Sequence, residues 1–324
     1  MITSTRLFSF FCLVIVLTMT ASLYAKELNG FRLDNALIPA TQIFSGGPDK
    51  DGIPSIDNPK FVSVRDATFM DDGDRVLGIT INGKSKAYPI KILNWHEIVN
   101  DSIGETSYTV TYCPLCGTGM AFDSEINKQV LSFGVSGLLY NSDVLLYDRE
   151  SESLWSQLLS KAVTGKHKGV TLKALPVRHT TWVDWKRHHP ASQVLSKNTG
   201  YWRAYARDPY AGYENSERLY FPIFNAAPKT YHPKERVLGL EVNGVYKAYP
   251  FLELNKENKR IFTDTVNEQI FSVHWDKKQQ SGYLLNENGE EMPIVQSYWF
   301  AWYAFHPETD VFKPNLLNIY PLIR

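Results

Sequence analysis

Two segments of this 324-residue chain read almost alike. Residues 75–93 are RVLGITINGKSKAYPIKIL and residues 236–254 are RVLGLEVNGVYKAYPFLEL, with 11 of the 19 positions identical. A second pair follows in the same order, because residues 182–194 are WVDWKRHHPASQV and residues 299–311 are WFAWYAFHPETDV. The first pair is offset by 161 residues and the second by 117, which predicts a duplicated unit whose second copy is 44 residues shorter.

Each copy is predicted to begin with a β-hairpin. Asn82-Gly83 and Asn243-Gly244 are residue pairs that tolerate the positive φ angles of a type I′ turn, and β-branched and aromatic residues flank them. Thr181 with Asp184 resembles a capping box that opens a short helix. A short helix is also predicted within residues 90–99, and strands over 108–112, 129–133 and 144–147. The predicted fold class is α+β and β-rich, with two related halves, each led by a hairpin and carrying short helices.

The N-terminal segment is typical of a secretory signal peptide. Arg6 precedes the apolar run 7–17, and the small residue Ala25 follows. We therefore predict a signal peptide over residues 1–25 and a periplasmic or secreted protein. An uncleaved anchor is the alternative, because Leu23 is unfavourable three residues before the cleavage point. No other apolar stretch reaches the roughly 20 residues of a membrane span.

The mature chain is predicted to divide into a first repeat unit over residues 26–200, a connector over 201–228 and a shorter second unit over 229–324. Lys plus Arg and Asp plus Glu each number 34, and this zero net charge argues against a nucleic-acid-binding protein. Three cysteines are too few for a disulfide scaffold, and Cys12 lies in the predicted signal peptide.

The two remaining cysteines lie close together in the first copy alone. Residues 108–123 are YTVTYCPLCGTGMAFD, whereas the corresponding IFSVHWDKKQQSGYLL of residues 270–285 has no cysteine. Cys113 and Cys116 fit three interpretations: a redox pair at a helix N-terminus, a metal-binding knuckle that needs further ligands, or a structural disulfide or pair of buried thiols. Gly117-Thr118-Gly119 is unfavourable for the helix that the first interpretation needs.

Further candidate site residues flank the cysteines. His96, on the short predicted helix, would tune or deprotonate a thiol or ligate a metal, with Glu97 or Asp101 orienting it. Asp101 has a predicted counterpart in Asp264 of the second copy, which favours a structural role. The segment 133–157 is predicted to shape a pocket. Two alternatives are predicted within this segment. Either Asp148 and Arg149 form an ion pair, or Arg149 binds an anionic substrate in a site lined by Tyr140 and Asp143.

Several long motifs resemble one uncharacterised, mostly exported bacterial family that is described as a domain of unknown function. The likeness covers residues 35–312 and includes TYCPLCGTGMAFD, FGVSGLLYNSDVLLYDRESESLWSQ, HEIVND and TWVDWKRHHP. Some relatives in that family are named as possible selenoproteins, with selenocysteine in place of one cysteine of the pair, which implies redox chemistry at Cys113 or Cys116. The resemblance implies that the family pattern is kept at His96, Glu97, Asp101, Cys113, Cys116, Asp148 and Arg149.

Three functional hypotheses follow. The first is a thiol-redox protein in which Cys113 and Cys116 are the reactive pair, His96 tunes the nucleophile, and the electron partner is unknown. The second is a protein that binds copper, zinc or iron through the same three residues, supplied by a metal donor, because soft thiolates favour these ions. The third is a non-catalytic envelope binding module in which the cysteines form a structural disulfide.

Overall fold

The computed structural model describes residues 27–314, which form mainly short antiparallel strands joined by turns. The strands of the first part are β1 (Glu27–Leu28), β2 (Phe31–Arg32), β3 (Ile43–Ser45), β4 (Phe61–Ser63), β5 (Arg75–Ile81), β6 (Lys84–Pro89), β7 (Ile98–Ile103), β8 (Thr106–Cys113), β9 (Thr118–Asp123), β10 (Glu125–Ile126), β11 (Gln129–Val130), β12 (Phe133–Tyr140) and β13 (Asp143–Asp148).

The later strands are β14 (Leu154–Ser156), β15 (Lys161–Ala162), β16 (Ala174–Leu175), β17 (Arg178–Thr181), β18 (Gln193–Leu195), β19 (Arg236–Val242), β20 (Val245–Pro250), β21 (Ile261–Val266), β22 (Gln269–Asp276), β23 (Ser281–Leu285), β24 (Val295–Tyr298) and β25 (Asp310–Val311). The α-helices are α1 (Ile90–Leu93), α2 (Trp182–His188), α3 (Phe251–Leu254) and α4 (Trp299–Phe305), and 3-10 turns span Ala40–Gln42 and Tyr213–Asn215. The fold is therefore β-rich with a few short helices, as predicted.

The largest sheet combines strands from the two predicted repeat units, residues 26–200 and 229–324. Its order is β25-β20-β19-β24-β9-β8-β7, and β16 also pairs with β9. The junction is the pairing of β24 with β9, where Gln296 lies opposite Gly119. Two five-stranded sheets have the orders β17-β5-β6-β18-β4 and β15-β14-β13-β12-β3, and β21-β22-β23 form a third small sheet. The strands that flank the cysteines are thus joined through β24 to the second predicted repeat unit.

Two sets of elements share one pairing scheme. The first set is β5, β6, α1, β17, α2 and β18, and the second set is β19, β20, α3, β24, α4 and β25. In the first set β17 runs antiparallel to β5 with His179 opposite Leu77, and in the second set β24 runs antiparallel to β19 with Gln296 opposite Leu238. β18 runs parallel to β6, and β25 runs parallel to β20. Order, orientation and register are the same in both sets.

The helix of each set packs a tryptophan against a glycine of the neighbouring strand. A Cβ atom on Gly78 would lie 2.1 Å from Cζ3 of Trp185, and one on Gly239 would lie 2.2 Å from Cζ3 of Trp302. Both indole side chains are almost completely buried. Glycine is therefore required at these two positions because the ring occupies the space of a side chain.

The predicted turns and most of the predicted elements are confirmed. Asn82 and Gly83 have φ values of 50° and 74°, and Asn243 and Gly244 have values of 51° and 81°, as a type I′ turn requires. The side-chain hydroxyl of Thr181 accepts a hydrogen bond from the N–H of Asp184 and thereby caps α2. The strands predicted over 108–112 and 144–147 lie within β8 and β13.

Two predicted elements differ from the structure. The helix predicted within residues 90–99 ends at Leu93, because Glu97 has a positive φ of 58° and its N–H closes the turn on the Leu93 carbonyl at 2.7 Å. His96 consequently lies in a turn. The strand predicted over 129–133 is divided between β11 and β12, because the N–H of Leu131 donates to the carbonyl of Ser124.

The predicted signal peptide over residues 1–25 lies outside the described residues, and so does Cys12. None of the helices within residues 27–314 has the length and apolar character needed to cross a membrane.

Candidate functional site

The cysteine motif forms the turn of a β-hairpin. Cys113 ends β8 and pairs with Thr118, the first residue of β9. The N–H of Cys116 donates to the carbonyl of Cys113 at 3.2 Å, and Gly117 reverses the chain with a φ of 60°. A strand rather than a helix follows the second cysteine, so the cysteine pair does not open a helix as the redox interpretation requires. The local geometry is that of a strand–knuckle–strand turn.

A second hairpin turn brings an acidic residue to the knuckle. Asn141 and Ser142, with φ values of 50° and 68°, connect β12 to β13, and Asp143 is the first residue of β13. The carbonyl of Ser142 accepts a hydrogen bond from the Cys116 thiol at 3.2 Å and lies 3.9 Å from the Cys113 sulfur. Two hairpin tips therefore meet at the thiols.

Cys113, Cys116 and Asp143 form a compact buried cluster. One sulfur from each cysteine and one carboxylate oxygen all lie within 4.8 Å of one another. Their exposed fractions are 2%, 0% and 1%, and both thiols are free. Within residues 27–314, this is the one group of three or more His, Cys, Asp or Glu side chains with such spacing. The arrangement is able to hold a metal ion.

Burial controls the protonation of this cluster. Desolvation raises the pKa of both thiols, and it raises the pKa of Asp143 to about 7 in spite of hydrogen bonds from the Leu158 N–H and from the thiols. Oδ1 of Asp143 is buried without a hydrogen-bond partner among the described residues. The thiols are thus held in their neutral form at neutral pH, and a bound cation would favour the charged form.

Glu97 is a second buried acid near the cluster. Burial and then the charge of Asp143 raise the pKa of Glu97 to about 8, and the charge of Glu97 in turn contributes to the raised pKa of Cys113. The carbonyl of Glu97 accepts a hydrogen bond from the N–H of Tyr112, next to the knuckle, at 2.7 Å. Several acidic groups therefore share a region that is excluded from water.

The chain matches the model of a family described as a protein of unknown function (DUF3179) over residues 50–288. It belongs to the DUF3179 family. No curated protein and no solved structure matches the chain. The matched region of this DUF3179 member includes the knuckle, the second hairpin turn, the whole first set of elements and β19, β20 and α3 of the second set, and the predicted family resemblance is confirmed.

His96 makes its hydrogen bonds away from the thiols. Its Nδ1 lies 2.7 Å from the carbonyl oxygen of Pro54, and its Nε2 lies 2.7 Å from the hydroxyl of Tyr205. The rings of Tyr201 and Tyr205 pack on the imidazole, which is fully buried. Burial lowers the pKa of His96, so the ring is neutral. Both ring nitrogens are occupied in this arrangement.

Asp148 and Arg149 do not pair with each other. The carboxylate of Asp148 accepts hydrogen bonds from Ser151 and from Nε1 of Trp155 at 2.9 Å. Arg149 instead contacts Asp57 at 3.2 Å and Asp51 at 3.6 Å. The ion pair predicted between the two neighbours is therefore wrong, because Asp148 ends β13 and Arg149 lies in the following turn, where it reaches Asp51 and Asp57.

Tyr140 lies in an aromatic contact with Phe305, with ring centroids 5.5 Å apart. Asp101 bonds the ammonium of Lys86 at 2.8 Å and the hydroxyl of Tyr88 at 2.6 Å. The structure therefore brings Cys113, Cys116 and Asp143 together, whereas His96, Tyr140, Asp148 and Arg149 have other partners.

Sequence reasoning missed the tyrosines that cover the knuckle. Tyr213, in the segment predicted as a connector, is packed in the same apolar cluster as both cysteines, together with Tyr298 of β24. A Cβ atom on Gly117 would lie 2.9 Å from the ring of Tyr298. The high aromatic content of residues 201–228 could have indicated a buried role for this segment. The spacing of these aromatic residues does not indicate that they contact the cysteines.

Proposed function

We propose that this protein binds one transition-metal ion of the zinc, copper or iron class through Cys113, Cys116 and Asp143. The observation that carries the proposal is the mutual spacing of three buried ligand atoms within 4.8 Å. Thiolate, thiolate and carboxylate form a ligand set that soft and borderline ions accept and that magnesium and calcium do not favour.

The electrostatics support a cation at this cluster. Three acidic groups are removed from water, and each has a raised pKa caused first by desolvation. A divalent ion stabilises the deprotonated forms, since metal binding exchanges protons for a compensating charge. The unpartnered Oδ1 of Asp143 offers a lone pair for the same purpose.

The strand–knuckle–strand geometry also supports this function over a helix-activated thiol. A reactive thiolate normally needs a lowered pKa from a helix N-terminus or a nearby cation. Here burial raises the pKa of Cys113 and Cys116. Three protein ligands would leave a fourth tetrahedral position for water or a small ligand, as in catalytic zinc sites.

Metal analysis of the purified protein tests the proposal. We expect about one equivalent of metal, with loss in Cys116→Ser and weakening in Asp143→Asn, which keeps the side-chain size. Asp148→Asn is the matched control, because Asp148 is equally buried but bonds Ser151 and Trp155. Cobalt substitution should give thiolate charge-transfer bands that vanish in Cys116→Ser. Full metal content in Cys116→Ser would contradict the proposal.

The second candidate function is thiol-redox chemistry at the same pair, and Asp143 is the observation that favours it. A carboxyl with a pKa of about 7 that lies within 4.8 Å of both sulfurs can accept a proton as a disulfide forms. Oxidation would release two protons and two electrons to a disulfide-containing partner. A metal-free protein that forms the Cys113–Cys116 disulfide reversibly would support this candidate, and a protein with neither property would support the binding-module hypothesis.

We also propose export and duplication. The basic residue and apolar run of residues 1–25 support a cleaved signal peptide, and N-terminal sequencing of the protein secreted by its host tests this. The shared register of the two sets of elements supports an origin by duplication, with residues 201–228 as the connector.

A further inference from the structure

A cavity of about 210 Å³ lies against the outer face of the knuckle. Pro114 and Gly117 of the knuckle line one part of it. The rest of the wall includes two arginines and four tyrosines: Arg75, Arg236, Tyr112, Tyr210, Tyr213 and Tyr298. Arg75 opens β5 and Arg236 opens β19, so the equivalent first residues of the two similar hairpins meet at one cavity.

The two arginines differ in their partners. Arg236 bonds the carboxylate of Glu214 at 2.8 Å. Arg75 donates only to backbone carbonyls, those of Gln279 at 2.7 Å, His179 at 2.7 Å and Gln280 at 3.2 Å. Its Nε is buried without a partner, and no carboxylate within residues 27–314 lies within salt-bridge distance of it. Arg75 is therefore a cation without a counter-ion.

The nearby carboxylates already have other partners. Glu214 is bound to Arg236, and Asp184, which also acts on Arg75, is bound to Arg187 at 2.6 Å. Asp208 lines the cavity but is exposed, and it accepts hydrogen bonds from Asn94 at 3.0 Å and from the N–H of Tyr210. An exposed charge is screened by water far more than a buried one. These acids do not neutralise the Arg75 guanidinium.

The tyrosines supply neutral hydrogen-bond donors. The hydroxyl of Tyr213 is buried without a partner, and those of Tyr112, Tyr210 and Tyr298 make no hydrogen bond within the described part of the chain. Burial raises the pKa of all four, so they are protonated at neutral pH. A guanidinium surrounded by hydroxyl donors is the chemistry that recognises a carboxylate or another small oxyanion.

We infer that this cavity is a binding site for a small oxyanion, held by the guanidinium of Arg75 and by the hydroxyls of the tyrosines that line it. The anion supplies the missing counter-ion to Arg75 and the missing acceptors to the tyrosines. The site uses different side chains from the metal cluster. The inference therefore holds whether or not Cys113 and Cys116 bind a metal.

Sulfate is the probe, because it is a fully charged oxyanion at neutral pH. Calorimetric titration of sulfate into the purified protein, in a constant chloride background, is expected to give saturable binding at one site. Arg75→Gln should weaken it by at least about tenfold, and Tyr112→Phe by about threefold, since charge-assisted hydrogen bonds are stronger than neutral ones.

Two comparisons keep the test specific. Arg178→Gln is the matched control, because Arg178 also joins the two segments through Glu291 at 2.8 Å but does not line the cavity. It should bind sulfate as the wild type does. Cys116→Ser should lose the metal and keep sulfate binding. Binding that disappears in Cys116→Ser while persisting in Arg75→Gln would place the anion on the metal and overturn the inference, and so would the absence of saturable binding in the wild type.

Discussion

Nε2 of Gln296 lies 2.9 Å from Nδ1 of His179, and the two residues occupy the same register position in the two sets of elements. His179 lies opposite Leu77 in the first set, as Gln296 lies opposite Leu238 in the second. The contact joins β17 to β24 beside the oxyanion cavity. It is a buried polar link between the two sets of elements, and its energy depends on the neutral imidazole.

The first prediction concerns pH and this histidine. Burial, then the positive charges of Arg75 and Arg236, lowers the pKa of His179 well below the ordinary 6.5. The unfolded chain therefore binds a proton at this histidine near pH 6.5, whereas the folded chain does not. The free energy of unfolding is unaffected by this residue above that pH and decreases as the pH falls below it. Because of this residue, each pH unit below 6.5 lowers the free energy of unfolding by up to about 1.4 kcal/mol.

We expect His179→Asn to lose less unfolding free energy than the wild type between pH 7 and 5.5, although it is less stable at pH 7. Urea unfolding at several pH values measures this difference. His188→Asn is the control, because His188 is exposed. Equal pH slopes for wild type and His179→Asn would show that the imidazole titrates normally.

The second prediction concerns metal uptake. Cys113 and Cys116 bear raised pKa values, and Asp143 has a pKa of about 7. Binding must therefore displace three protons below pH 7 and two above it. The apparent affinity should rise with pH by about tenfold per pH unit for each proton displaced. Competition with a chelator across pH 5.5 to 8.5 measures the slope.

The Asp143→Asn variant separates the contributions to that slope. It should bind metal more weakly and lose the change of slope near pH 7, because the two thiols are the only ligands that still lose a proton on binding. If the slope of apparent affinity against pH still changed near pH 7 in this variant, Asp143 would be excluded as the group whose titration causes the change.

The third prediction tests the tryptophan–glycine contacts. Gly78→Ala and Gly239→Ala would each place a methyl group about 2 Å from an indole ring, and overpacking of this kind costs roughly 1–3 kcal/mol or more. Gly73→Ala is the control, because no atom lies within 4 Å of its added Cβ. Chemical denaturation measures the difference. Comparable losses at the two equivalent glycines are expected, since the same contact occurs in both sets of elements.

The fourth prediction concerns the buried ion pair of Lys86 and Asp101. Both side chains are about nine-tenths buried, and Asp101 also accepts a hydrogen bond from Tyr88. Asp101→Asn should cost about 3–5 kcal/mol, because it leaves an ammonium group buried without a counter-ion. Asp264→Asn, which breaks the more exposed equivalent pair with Lys247, should cost less. Urea unfolding at pH 7 compares the two variants.

The sequence allowed the hairpins and the location of the thiols to be predicted, because both depend on local chemistry. Asn-Gly turns specify their backbone conformation, and a Cys-x-x-Cys spacing keeps two thiols close in any fold. The role of Asp143 as a candidate ligand depends on the packing of one hairpin tip against another, and no local pattern encodes that contact. The same holds for Arg75 and Arg236, which line one cavity because the two sets of elements pack together at the His179–Gln296 contact.

The fifth prediction concerns His96, which sequence reasoning assigned to the thiols. Its ring nitrogens bond Pro54 and Tyr205, and the Tyr205 hydroxyl also lies 2.6 Å from the hydroxyl of Thr199. His96→Ala should leave the Pro54 carbonyl without the imidazole and remove one of the two partners of the Tyr205 hydroxyl, which should cost about 1–3 kcal/mol with the metal content unchanged. Tyr205→Phe removes the hydrogen bonds of this hydroxyl to His96 and Thr199 but keeps both buried rings, so it should be destabilised less than His96→Ala, also without loss of metal. Metal analysis beside chemical denaturation separates the two roles, because loss of metal from a folded His96→Ala protein would make His96 a ligand after all.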